Sequence, residues 1–210
     1  MILDFYQRLK SELENLPGEM AHTEMFPLRA RTSEALKTTS DYRLSGVMAL
    51  LFQEDNHQKI ILTERQDYEG KHSGQMSFPG GKKEEKDDST LIAALRETHE
   101  EIGIRPEQIN LIGALSEVYI PVSNFLVHPF IGYLNETPQF VKSEREVKSI
   151  IIFDINELII DSNRIVTTIP LTNGAAYKNV PAFFIQEKII WGATALMLNE
   201  LRMILNRMNK

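Results

Sequence analysis

An amphipathic helix between two glycine-containing turns is the feature that most constrains how this chain can fold. The helical pattern starts at Ser89 or at its neighbour Asp88, both favourable N-cap residues, and continues to about Ile102. Gly103 then supplies a C-terminal stop. One stripe of the helix is apolar, and packing of this stripe into a core fixes the direction of the opposite, acidic face. The apolar stripe consists of Leu91, Leu95, Thr98 and Ile102.

Short apolar runs elsewhere predict β-strands, and residues 54–57 predict a hairpin loop between the first two. Strands that are scattered among a few well-separated helices are typical of the α/β class. We therefore expect an α/β fold with a mixed β-sheet flanked by helices, although the pattern does not give the strand order. The predicted strands are 45–53, 59–64, 109–115, 126–134, 148–153, 164–169 and 180–186.

The ends of the chain carry two further helical patterns. Leucines recur at near-helical spacing before Pro17-Gly18 stops the first helix, and residues 191–207 predict a closing helix. Residues 18–42 and 67–86 predict irregular connections. Because 210 residues fit one domain and no linker or repeat is present, we expect a single domain over 1–210, with an N-terminal helix and irregular extension over 1–42.

The composition excludes several classes of protein. There are 23 Lys and Arg residues against 29 Asp and Glu, a net charge of −6, which argues against a protein that coats nucleic acid or an anionic membrane. The absence of cysteine excludes disulfides and a thiol nucleophile. The N-terminus is too charged for a signal peptide, and no apolar run approaches the ~18 residues of a membrane span. We expect a soluble, cytoplasmic protein without nucleic-acid or membrane partners.

Three glutamates share the polar face of the amphipathic helix. Glu97, Glu100 and Glu101 lie at i, i+3 and i+4, so we expect their carboxylates to converge. Mg²⁺ prefers oxygen ligands and is held by a few carboxylates together with waters and substrate phosphates, and Mn²⁺ can substitute for it. The alternative is a solvated acidic face that pairs with neighbouring Lys or Arg, which is the commoner fate of an isolated E-x-x-E-E pattern.

The surrounding residues make a longer ordered pattern. Gly80-Gly81 after Pro79 permits a tight loop whose backbone can approach a ligand, and Arg96 precedes the glutamates. Residues 78–104 resemble the loop–helix–loop signature of the Nudix hydrolases, G-x5-E-x7-R-E-U-x-E-E-x-G-U with U aliphatic, which binds Mg²⁺ for diphosphate hydrolysis. The resemblance implies a Nudix-like α/β/α sandwich, with 78–104 as the catalytic motif and a small-molecule diphosphate as substrate.

The segment departs from this signature in three ways. Six residues forward from Gly81 lies Asp87, whereas eight residues back from Arg96 lies Asp88, so the segment is one residue longer than the signature. An aspartate replaces the first glutamate, and Thr98 occupies an aliphatic position. The extra residue, the aspartate and the R-E-T sequence resemble the coenzyme A pyrophosphatase subgroup of the family.

More of the chain resembles this subgroup. Residues 62–65 and the F-P-G-G sequence at 78–81 resemble the motif that precedes its helix, and patches at 17–29, 146–147 and 190–195 extend the likeness. Gln66 stands where the subgroup has Ser, and Gly70 where it has a second Arg, for which Lys71 or His72 is a candidate replacement. The resemblance implies hydrolysis of coenzyme A or its derivatives to 3′,5′-ADP and a 4′-phosphopantetheine product.

The resemblance also implies residue roles. The metal ligands would be Glu97, Glu101 and the backbone of Gly81, with Glu100 as a further ligand or a residue that orients water. Arg96 would orient a carboxylate. The implied catalytic residues are Arg96, Glu97, Glu100 and Glu146, and the implied substrate-binding residues are Arg65, Gly74, Phe78 and Gly80.

Some of these roles have competitors. Glu146 is the favoured general base because it begins an E-V match, and Glu117 and Glu144 are its rivals. Arg65 at a strand end suits a bidentate contact with phosphate, but a surface salt bridge explains it equally well.

Two other functions stay open at this point. One is a Nudix hydrolase for another nucleoside diphosphate derivative such as ADP-ribose, and the other is a catalytically silent Nudix-fold binding module. Retention of the three helix glutamates and of Arg96 counts against the silent module. The sequence leaves open whether the protein is a homodimer.

Overall fold

Groups of helices and strands follow one another along the chain in a computed structural model, which describes residues 2–27, 29–66, 74–170 and 175–209. The helices are α1 (Ile2–Glu12), α2 (Glu19–Met25), α3 (Thr32–Ala35), α4 (Thr90–Ile102) and α5 (Gly192–Met208). The strands are β1 (Arg43–Glu54), β2 (His57–Arg65), β3 (Met76–Ser77), β4 (Gly80–Lys82), β5 (Asn110–Ala114), β6 (Val118–Ile120), β7 (Phe125–Tyr133), β8 (Val147–Asp154), β9 (Arg164–Pro170), β10 (Ala176–Ile185) and β11 (Lys188–Ile190).

The larger of the two sheets is mixed. Its strand order is β3-β2-β1-β7-β5, with β4 paired to β1, β6 to β7 and β8 to β2. β1 and β7 run parallel and the remaining pairs are antiparallel. A smaller antiparallel sheet has the order β11-β10-β9. The prediction of a mixed sheet flanked by helices is confirmed.

β1 lies at the centre of the fold and is buried on both faces. Met48, Leu50 and Phe52 pack into the core under α4, whereas Ala49 and Leu51 pack into the core that α1 and α5 cover. This double burial explains why the strand has a continuous apolar run and no polar alternation. Helices therefore cover both faces of the larger sheet, as the resemblance implied.

The predicted strands all occur, with ends shifted by a few residues, but two regions predicted to be irregular are partly regular. Residues 18–42 contain α2 and α3, and residues 67–86 contain β3 and β4. β6 and β11 were not predicted either. These elements are two to seven residues long, too short for a period to show in the sequence, and they form where pairing or packing partners stabilise them. Within the described ranges, no helix has the length and apolarity needed to cross a bilayer.

The first turn of α4 lies directly against the backbone of β1. A Cβ built on Gly46 would lie 1.9 Å from the carbonyl oxygen of Thr90 and 3.1 Å from the Cβ of Ala94. The contact leaves no room for a side chain, so glycine at 46 sets the distance between the helix and the sheet.

We expect Gly46→Ala to lower the free energy of unfolding by about 2–3 kcal/mol, because α4 must shift off the sheet to admit the methyl group. Urea denaturation measures the change. Gly113→Ala is the matched control in β5, since its Cβ would meet only the flexible end of Leu13. Equal losses for the two variants would contradict this account of the contact.

Candidate active site

The local sequence defines both ends of α4. The Ser89 hydroxyl accepts a hydrogen bond from the backbone N–H of Ile92 at 3.2 Å, so Ser89 and not Asp88 caps the helix. Gly103 adopts a left-handed conformation with φ of 78° and closes the helix through a bond to the His99 carbonyl. The predicted start and stop of the helix are confirmed, and its axis is fixed with respect to the sheet.

Three glutamates meet beside α4. One carboxylate oxygen each from Glu97, Glu101 and Glu146 lies within 4.8 Å of the others. We call these three residues the acidic cluster. Glu101 is buried, Glu97 is half-buried and Glu146 is exposed. The third member comes from the turn before β8, 45 residues after Glu101 in the chain.

Two of the three helix glutamates belong to the acidic cluster, and Glu100 lies beside it. The Glu100 side chain is 48% exposed and accepts a hydrogen bond from Arg96 Nη1 at 2.9 Å. The same nitrogen donates to Glu97 at 2.8 Å, so one guanidinium nitrogen joins the two carboxylates. The role of Glu100 as a metal ligand or water-orienting residue stays a prediction.

The rivals of Glu146 lie elsewhere. Glu117 Oε1 is 3.4 Å from His128 Nε2, and Glu144 accepts a bond from Lys142 at 2.9 Å. Neither belongs to the acidic cluster. Of the three candidates for the general base, Glu146 is the one that lies in the acidic cluster, and its role as the base stays a prediction.

The two glycines of β4 bring the backbone against the acidic cluster. A Cβ on Gly81 would lie 2.5 Å from the carboxyl carbon of Glu97. The N–H of Gly80 donates to Glu101 at 3.2 Å, and the φ of Gly80, 146°, is one that other residues rarely adopt. The structure thus brings Gly80 and Gly81 to the helix glutamates, as the motif implied.

Arg96 connects the loop before α4 to the helix. Its guanidinium makes a two-pronged contact with Asp87, Nε to Oδ1 at 3.0 Å and Nη2 to Oδ2 at 2.9 Å. Its Nη1 donates to Glu97 at 2.8 Å as well as to Glu100. These contacts agree with the expectation that Arg96 orients a carboxylate.

The same contacts decide which aspartate stands in for the first glutamate of the signature. Asp87 is 2% exposed, whereas Asp88 is exposed. The hydrogen bonds from Arg96 lower the pKa of Asp87 to about 2. The hydrogen bond with Asp87 in turn raises the pKa of Arg96. The extra residue therefore lies between Asp87 and Arg96.

The electrostatics of the acidic cluster favour a cation. Burial raises the pKa of Glu101 to about 8; the charge of Arg65 and the Gly80 N–H act in the opposite direction, while Glu97 and Glu146 raise it further. Burial also raises the pKa of Glu97, against the effect of Arg96. Ionising these carboxylates together is unfavourable in the protein alone.

Arg65 lies at the edge of the acidic cluster. Its Nη1 is 3.8 Å from Glu101 Oε1, and its side chain is 34% exposed. Its Nε is buried and has no hydrogen-bond partner in the described part of the chain. The exposed part of this guanidinium, beside the acidic cluster, is suited to bind an anionic group that the cluster's metal would also contact.

The donors of the acidic cluster suit a hard divalent cation. All three side chains offer carboxylate oxygens, and the cluster includes neither sulfur nor imidazole. The two charges of a divalent cation would stabilise the ionised form of Glu101, which burial disfavours. The residues present therefore fit Mg²⁺ or Mn²⁺.

Two further residues carry predicted substrate-binding roles. Phe78 is 1% exposed and packs in the core on the α5 side of the sheet, so its ring anchors the loop that precedes Gly80. The substrate-binding role of Phe78 stays a prediction. Gly74 has a φ of 65° at the end of a turn. Gly70, Lys71 and His72 fall outside the described residues.

Comparisons with known proteins agree with this geometry. A model of the NUDIX domain matches residues 42–169, more than half of the 210-residue chain. The chain belongs to the Nudix family. The match includes α4, β4 and the turn that carries Glu146, and therefore the whole acidic cluster.

Two curated Nudix relatives cover most of the chain. The NudL protein of Enterobacter sp. (strain 638), described as an uncharacterized Nudix hydrolase, is 34% identical over 145 residues, which are 68% of this chain and 72% of that protein. Nudix hydrolase 3 of Caenorhabditis elegans is 29% identical over 175 residues, 77% of this chain and 72% of its own length. The prediction of a Nudix hydrolase is confirmed at the level of the family.

Solved Nudix structures share the fold. The Nudix hydrolase RenU of M. Smegmatis superposes with a TM-score of 0.54 at 14% identity, covering 79% of this chain and 87% of RenU. A MutT/nudix family protein from Enterococcus faecalis gives 0.51 at 16% identity, covering 91% of this chain and 73% of that protein. The Nudix-like sandwich is thereby confirmed.

The raised pKa of Glu101 predicts a pH-dependent stability of the metal-free protein. Between its ordinary value of 4.5 and about 8, folded Glu101 keeps a proton that the unfolded chain has released, so the stability falls as the pH rises through this window. Glu101→Gln cannot ionise. We subtract the unfolding free energy of wild type from that of Glu101→Gln, both measured in EDTA. This difference should be about 2–4 kcal/mol larger at pH 8 than at pH 5. Exposed Glu107→Gln is the control, and parallel pH profiles for wild type and Glu101→Gln would refute the argument.

Asp87 and Asp88 should respond differently to loss of charge. Asp87→Asn leaves the Arg96 guanidinium facing an amide in a buried contact, so we expect the free energy of unfolding to fall by about 1–3 kcal/mol. Asp88→Asn, in an exposed position, should stay within about 0.5 kcal/mol of wild type. Chemical denaturation of both variants at pH 7 provides the comparison, and a larger loss for Asp88→Asn would show that the wrong aspartate was chosen.

Proposed function

We propose that this protein is a Nudix pyrophosphohydrolase that cleaves the diphosphate linkage of coenzyme A or its derivatives, with Mg²⁺ or Mn²⁺, to 3′,5′-ADP and a 4′-phosphopantetheine product. The observation that carries the proposal is the acidic cluster, three carboxylates brought together from α4 and the turn before β8. Family membership supports a hydrolase, and the motif resemblance supports the choice of substrate.

The chemistry follows from the charges. A divalent cation held by Glu97, Glu101 and the backbone at Gly81 would neutralise phosphoryl oxygens and lower the pKa of a bound water. Arg96 holds Glu97 in place through their 2.8 Å contact. Arg65 donates to the phosphate from the edge of the acidic cluster. Glu146 accepts the proton from the attacking water, since its exposed carboxylate is accessible to solvent.

The substrate assignment draws on motif patches that are adjacent in space. The Thr194 hydroxyl, in the patch at 190–195, donates to the Met76 carbonyl at 2.9 Å, and β3 directly precedes the F-P-G-G sequence. The patch at 190–195 thus contacts the strand that leads into the F-P-G-G sequence. ADP-ribose remains the competing substrate, because Gln66 and Gly70 depart from the subgroup motif.

Further parts of the proposal concern the whole protein. We infer a single domain over 1–210 because α1 and α5 share one core with the central strands. A cytoplasmic location stays a prediction, with which the absence of cysteine is compatible. Homodimer formation stays a prediction.

Product analysis tests the substrate. Incubation of the protein with coenzyme A and Mg²⁺ should release 3′,5′-ADP and 4′-phosphopantetheine, detected by chromatography and mass spectrometry, and EDTA should abolish the release. We expect kcat/KM to be higher for coenzyme A than for ADP-ribose. A higher value for ADP-ribose would select the competing substrate, and no turnover of either at high enzyme concentration would favour the silent binding module.

Substitution of the acidic cluster tests the site. Glu97→Gln, Glu101→Gln and Glu146→Gln should each lower kcat by about 10²–10⁴-fold, because each removes a metal ligand or the base. Glu117→Gln and Glu144→Gln are matched controls at the rival positions and should stay within about threefold of wild type. Wild-type rates for Glu101→Gln would remove the proposed site.

A further inference from the structure

The turn that carries Glu146 is fastened to the C-terminal end of α4. The N–H of Val141 donates to the Ile102 carbonyl at 3.0 Å, and the N–H of Ser143 donates to the Glu101 carbonyl at 2.9 Å. These bonds satisfy two of the carbonyls that a helix leaves unpaired at its end. Because Glu101 is a member of the acidic cluster, the backbone of this turn is tied to the helix that supplies the other two members.

Gln66 fastens the same turn from the opposite side. Its side-chain amide donates to the Glu144 carbonyl at 2.8 Å and, more weakly, to the Val147 carbonyl at 3.5 Å. Its backbone N–H donates to the carbonyl of Glu146 itself at 3.0 Å. One residue at the end of β2 thus binds the backbone before, at and after Glu146.

The pairing of β2 with β8 is irregular just before Gln66. The register shifts between Glu64, opposite Ser149, and Arg65, opposite Val147, as in a β-bulge. A bulge interrupts the ladder and is common beside active sites, where it redirects a side chain. The Gln66 amide supplies hydrogen bonds to the turn just beyond the interruption.

Glu146 needs such support more than its partners do. Glu97 and Glu101 are held by the packed helix, whereas Glu146 is exposed on a turn. We propose that Gln66 is a positioning residue, whose side-chain amide holds the turn so that the Glu146 carboxylate stays beside Glu97 and Glu101. The proposal rests on the proposed function only in that it assigns Glu146 to the metal-binding acidic cluster.

The coenzyme A subgroup motif has Ser where this chain has Gln66. The positioning role that we propose for Gln66 therefore depends on a residue in which this chain departs from the motif. A serine hydroxyl is bonded directly to Cβ, whereas the glutamine amide lies two further carbons along the side chain and reaches across to the neighbouring turn. The departure from the motif thus has a structural counterpart in the amide contacts with the Glu144 and Val147 carbonyls.

Mn²⁺ binding to the substrate-free protein, measured by electron paramagnetic resonance, tests the proposal. Gln66→Met keeps the length of the side chain and removes the amide, and we expect the Kd for Mn²⁺ to rise by about five- to tenfold. In a Glu146→Gln background the same substitution should change the Kd by less than about twofold, because position 146 no longer carries the negative charge that Gln66 holds beside Glu97 and Glu101. Gln66→Ala is measured in parallel, so that the result does not depend on one replacement.

Gln186→Met is the matched control. The Gln186 amide donates to the Ile152 carbonyl of β8 at 2.7 Å, so this variant removes the same kind of bond from the same strand away from the acidic cluster. It should leave the Kd for Mn²⁺ unchanged, and thermal unfolding of each variant reports any general loss of structure. Steady-state rates on whichever diphosphate the wild type cleaves should show a lower kcat for Gln66→Met with little change in KM.

The outcomes separate the two proposals. An unchanged Kd in Gln66→Met, or an equal loss with and without the Glu146 carboxylate, overturns the role of Gln66. If coenzyme A is not cleaved but the Mn²⁺ cycle shows the expected coupling, the substrate proposal fails and the role of Gln66 stands.

Discussion

The packing of α4 against β1 is the contact on which the rest of the site depends. The backbone of Thr90 lies so close to Gly46 that no side chain fits between helix and sheet. Ala94 and Ile102 of α4 are buried together with the β1 side chains that point toward the helix. Burial of this face of α4 leaves Glu101 almost fully enclosed. A carboxylate is stable in such a position only when opposite charges or hydrogen-bond donors compensate for the lost water.

That compensation comes from several directions. Arg65 and the Gly80 N–H approach Glu101, while Arg96 approaches Glu97 and is itself held by Asp87. The positive groups do not offset the effects of burial and of the neighbouring carboxylates, because the pKa of Glu101 still lies near 8. A divalent cation would stabilise the ionised carboxylates, since they bind it together.

Much of this could be predicted locally. The capped helix, its acidic face and the glycine pair before it are short-range features, and the signature that they form led directly to the family. The helical spacing did not show that one Arg96 nitrogen joins Glu97 to Glu100. A motif position likewise does not reveal that the ring of Phe78 is buried.

Residue type and periodicity by themselves determined the class of fold, the boundaries of α4 and the kind of ion that its glutamates suit. Tertiary structure alone decided that Glu146 joins them in place of Glu117 or Glu144, that Asp87 and not Asp88 faces Arg96, and that Gln66 contacts the turn before β8. The reason is physical. Hydrophobic patterns report which face of an element is buried, whereas the approach of a distant turn depends on strand register, a bulge and backbone hydrogen bonds that leave no periodic trace in the sequence.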